Sequence, residues 1–87
     1  DFPGHELVEQ GIADLADGTE SVPALLVAIG APRLRQLGLR IPEVAIATPE
    51  HRLYELLNRS DQDSAHSRYN ALIRRLVSFE RALACVS

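Results

Sequence analysis

Eighty-seven residues, 46% hydrophobic but only 5% aromatic, make one small domain (1–87) whose core must be built from Leu, Ile, Val and Ala. With 24% charged residues and a net charge of −3, composition argues against both a disordered polyelectrolyte and a basic nucleic-acid protein. No apolar run reaches the ~20 residues that cross a bilayer. The charges are laid out unevenly: all nine basic residues are arginines and none precedes Arg33, while six of the twelve acids lie at or before Glu20.

In chain order, the opening Asp1-Phe2-Pro3-Gly4 has neither the basic nor the apolar part of a signal peptide, so a cytoplasmic protein is expected. From His5 to Ala16, Leu7, Val8, Ile12 and Leu15 form one helical stripe opposite Glu6, Glu9 and Asp14, and Asp17-Gly18 ends the helix. Gly11 weakens this helix by up to ~1 kcal/mol relative to alanine, so it depends on docking. Its acids are expected to lie near the arginines of the last helix.

Pro23 and Pro32 each read as a first-turn residue, which predicts a second helix from Pro23 to about Ile29, a turn at Gly30, and a short third helix from Pro32 to Leu37 capped by Gly38. The run from Ala24 to Ile29 is apolar all round, the pattern of a helix with neighbours on several sides. Residues 39–48 contain Pro42 and lack helical spacing; Val44 and Ile46 alternate with alanines, so an extended connector is expected. Thr48-Pro49-Glu50 starts the next helix with a hydroxyl cap, and Leu53, Leu56 and Leu57 face inward up to about Arg59. Asp63 or Ser64 caps the last helix, where Tyr69, Leu72, Ile73, Leu76, Phe79, Leu83 and Val86 recur at three and four. At about twenty residues this helix spans ~30 Å, more than one partner helix covers.

The chemistry-bearing residues point away from catalysis. His5, His51 and His66 are far apart and none has a second histidine or cysteine at i+3 or i+4, so no metal site is expected. His51 and Glu55 share a helix face and read as a surface hydrogen bond. There is no nucleophile elbow, phosphate-cradling glycine loop or zinc-protease motif, and Asp61 and Asp63 read as turn and cap residues. Cys85 lies on an apolar stretch and reads as a buried, inert thiol. The chain is therefore expected to be no enzyme and to carry no cofactor.

Two binding readings remain. The segment 22–40 has the outline of a helix-turn-helix, with Arg33, Arg35, Gln36 and Arg40 where base or phosphate contacts would be made. Against it, the candidate recognition helix has about two turns, and Leu34 and Leu37 must face inward. The last helix carries Arg68, Arg74, Arg75 and Arg81, none with an acid three or four positions away. The preferred expectation is an all-α domain of four to five helices, with short central helices and a long C-terminal one. It would serve as a protein–protein interaction module, homodimeric through Leu76, Phe79, Leu83, Arg74, Arg75 and Arg81.

Overall fold

A computed structural model describes residues 2–43 and 45–86, which form four α-helices: α1 (His5–Ala16), α2 (Val22–Gln36), α3 (Pro49–Ser60) and α4 (Ala65–Val86). No strand occurs among the described residues. The hub is α2, which packs against each of the other three helices, while α3 also packs against α4. This follows from its composition: Ala24, Leu25, Leu26 and Val27 are fully buried in succession, so the first turns of α2 touch neighbours around the whole circumference. Leu53 and Leu57 of α3, Val8 and Leu15 of α1, and Ala65, Leu76 and Phe79 of α4 close one continuous cluster around it.

The turn expected at Gly30 is absent, and α2 runs unbroken from Val22 to Gln36 with Pro32 inside it. Gly30 is buried where α2 crosses α4; a Cβ there would sit 3.0 Å from both methyls of Leu76. The residue allows close approach rather than reversal. The apolar ladder Ala24, Val27, Ala31, Leu34 continues at three-four spacing straight through it, and burial of Leu34 offsets the hydrogen bond that Pro32 withholds from the helix. Gly11 plays the same part at the α1–α2 crossing, where a Cβ would overlap the Pro23 carbonyl and Val27.

The helix ends are set by local chemistry. Ser21 caps α2, its hydroxyl accepting from the Ala24 amide at 3.2 Å and donating to Asp14. Gly18 and Gly38 take φ of 76° and 99° and close α1 and α2 in paired backbone bonds: Thr19 N–H to Asp14 and Gly18 N–H to Leu15, Leu39 N–H to Leu34 and Gly38 N–H to Arg35. At α3 the expected hydroxyl cap does not form. Thr48 is left-handed, φ 47°, and its side chain makes no capping bond, so Pro49 and Glu50 carry the start of the helix.

Between α2 and α3, residues 39–43 and 45–48 form neither helix nor strand; Val44, half of the alternation that suggested an extended run, lies outside the described residues. Ile41 is buried and anchors the crossing. The Arg35 guanidinium donates to the Ile41 carbonyl, at 3.2 Å from Nη2, and to the Pro42 carbonyl at 3.1 Å.

Candidate interaction surface

Arginine is too strongly hydrated to be drawn into a core of this kind, so the turn-by-turn placement of α4's residues sorts them into two faces. Leu76 and Phe79 are 4% and 3% exposed and Leu83 is half-buried against the same core. These three were expected to meet a partner; Leu76 and Phe79 instead spend their apolar surface on α2 and on the chain's own N-terminal segment. Phe2 meets Phe79 edge to face at 5.9 Å, and a Cβ on Gly4 would lie 2.9 Å from the Arg75 carbonyl oxygen. The opposite face of α4 holds Asn70, Arg74, Ser78, Arg81 and Cys85, all exposed. Cys85 thus sits on the solvent side of the helix and not in the core.

Arg74, Arg75 and Arg81 take part in no ion pair among the described residues. Helix α1 does not neutralise them. It lies along α2, bound there by Val8, Gly11 and Leu15, while Phe2 and Gly4, just before its first turn, meet Phe79 and the Arg75 carbonyl of α4. The acids of the front segment go elsewhere: Glu9 pairs with His5 at 2.6 Å, Asp14 accepts from Gln10 and Ser21, and Glu20 holds Arg52 of α3 through two bonds of 2.8 Å. Glu6 and Asp17 are exposed on the outer side of α1.

The four residues of the nucleic-acid reading do not form one surface. Arg35 is tied to the connector, and at about 3.6 residues per turn Arg33 points to nearly the opposite side of α2. Arg33 faces Glu80, whose carboxyl burial raises above its ordinary pKa and the guanidinium pulls part of the way back. Gln36 and Arg40 are exposed on either side of the Gly38 turn. With α2 continuous there is no helix-turn-helix in 22–40.

Sequence reasoning missed two features. Glu20–Arg52 joins residues 32 apart and leaves no local signal; it borders an open cleft of about 250 Å³ lined also by Glu55, Leu56 and Arg59. Tyr54 and Tyr69 stack edge to face at 6.0 Å between α3 and α4, with Tyr54 more than a third exposed. The His51–Glu55 hydrogen bond expected from spacing is present at 2.7 Å, and both side chains are solvent-facing. Among the described residues no three His, Cys, Asp or Glu are placed to hold a metal ion, and no helix is long and apolar enough to cross a membrane. No protein-family model, curated protein or solved structure matches the chain.

Proposed function

We propose that this chain is a non-enzymatic helical interaction module that acts as a homodimer through the outer face of α4. One observation supports the reading: a 22-residue helix carries Arg74, Arg75 and Arg81 on its surface with no acid among the described residues paired to them. The exposed thiol of Cys85 suits the reducing, cytoplasmic setting that goes with this proposal. The mass in solution across a wide dilution series tests it. A dimer at micromolar concentration, weakened by Arg74→Glu with Arg81→Glu while circular dichroism stays unchanged, is the expected result; a monomer throughout overturns it.

A further inference from the structure

Building on the homodimer reading, we infer that the surface seated on α4's arginines is the acidic outer face of α1 from the second copy, in a twofold arrangement that makes the same contact twice. Each molecule carries both halves of this contact. Glu6 and Glu9, the latter in an exposed pair with His5, lie on the exposed side of α1 with Asp17 just past its end, and Arg74 and Arg81 lie one heptad apart on the exposed side of α4. Among the described residues of one chain they form no ion pair, since α1 is fastened along α2 by the close approach at Gly11 while Phe2 and Gly4, just ahead of it, meet α4. Gly4, the residue ahead of α1, lies against the Arg75 carbonyl, so the head of the acidic helix adjoins the arginine-bearing one. Adjoining patches of opposite sign on one molecule are self-complementary under a twofold rotation, the requirement of an isologous interface.

The magnitudes suit a weak, salt-sensitive dimer. Exposed ion pairs contribute little each, so the contact needs its twofold duplication, and the small Ala13 between Glu9 and Asp17 and Ser78 between Arg74 and Arg81 let the helices approach. The net charge of −3 repels a second copy, but beyond the Debye length of about 8 Å salt screens that repulsion, while the paired patches attract at contact.

A charge-swap experiment on the full chain tests the contact by sedimentation velocity, at about 50 mM and about 500 mM salt. One variant carries Glu6→Arg with Glu9→Arg, the other Arg74→Glu with Arg81→Glu. Each variant alone places like charges at both contacts and is expected to weaken dimerisation by about tenfold or more at low salt. Mixed one to one, the two present opposite charges at both contacts, and the heterodimer is expected to recover most of the wild-type affinity. Higher salt should weaken the wild-type dimer and shrink these differences. A wild-type dimer that either variant leaves intact, or whose loss the mixture does not repair, overturns this pairing but leaves dimerisation standing. A monomeric wild type overturns both. Circular dichroism on each variant separates loss of contact from loss of fold.

Discussion

Glycine has two distinct roles in this chain, and they predict different outcomes for the same substitution. At Gly11 an added methyl meets backbone, the Pro23 carbonyl, and cannot be relieved by a side-chain turn, so Gly11→Ala should destabilise by about 3 kcal/mol despite its better helix propensity. At Gly30 the obstacle is the flexible end of Leu76, and Gly30→Ala should be tolerated to within about 1 kcal/mol. Thermal or urea melts of the two variants side by side check the ordering. Thr48 is the opposite case, a β-branched residue at positive φ with no capping bond to offset it; Thr48→Gly should stabilise by about 0.5–1 kcal/mol. Glu80 gives a pH prediction. Its folded-state pKa is raised by burial, so the ionised carboxylate opposes folding. That penalty is fully present above the folded pKa and fades as pH falls through it toward the unfolded value. Asp61 runs the other way: the Ser64 hydroxyl lowers its pKa, and its contribution is lost as pH falls through the folded value. Comparing Glu80→Gln with wild type isolates the first effect. The variant should be the more stable at neutral pH, and the gap should narrow in mildly acid solution.

For elements, periodicity located α1, α3 and α4 to within a residue or two, because each is amphipathic and its apolar stripe has a single reading. It failed at α2, where the two prolines and Gly30 punctuate a stretch apolar on all sides. With no polar face, the pattern cannot distinguish one helix from two. The missing information was tertiary, namely that α4 crosses at Gly30. Side-chain placement on α4 shows the same limit: spacing identified which residues share the apolar stripe, but not that α2 and Phe2 would cover Leu76 and Phe79 and leave only the arginine face open. The cap of α2 is a testable local element. Ser21 both accepts from Ala24 and donates to Asp14 of α1, so Ser21→Ala should lose about 1–2 kcal/mol, measurable by urea denaturation, where an isolated cap would lose about 1.

For the molecule as a whole, the charges argue against nucleic acid as firmly as the broken motif does, since Arg33 and Arg35 point apart and the acidic face of α1 stands on the same small body. Binding to random duplex DNA should be undetectable near physiological salt; a micromolar complex with a log–log salt slope near −0.9 per phosphate, lost in Arg33→Ala with Arg40→Ala, would restore that reading. The order of packing has a kinetic consequence. Helices α1 and α2, α2 and α3, and α3 and α4 are chain neighbours that pack together, and α2 with α4 skips a single helix. Little loop must be closed before each contact forms, which is the condition for folding in microseconds to milliseconds. Temperature-jump relaxation should therefore show one fast phase, and Gly11→Ala, acting at the α1–α2 crossing, should slow refolding only as far as the α1–α2 hairpin belongs to the nucleus.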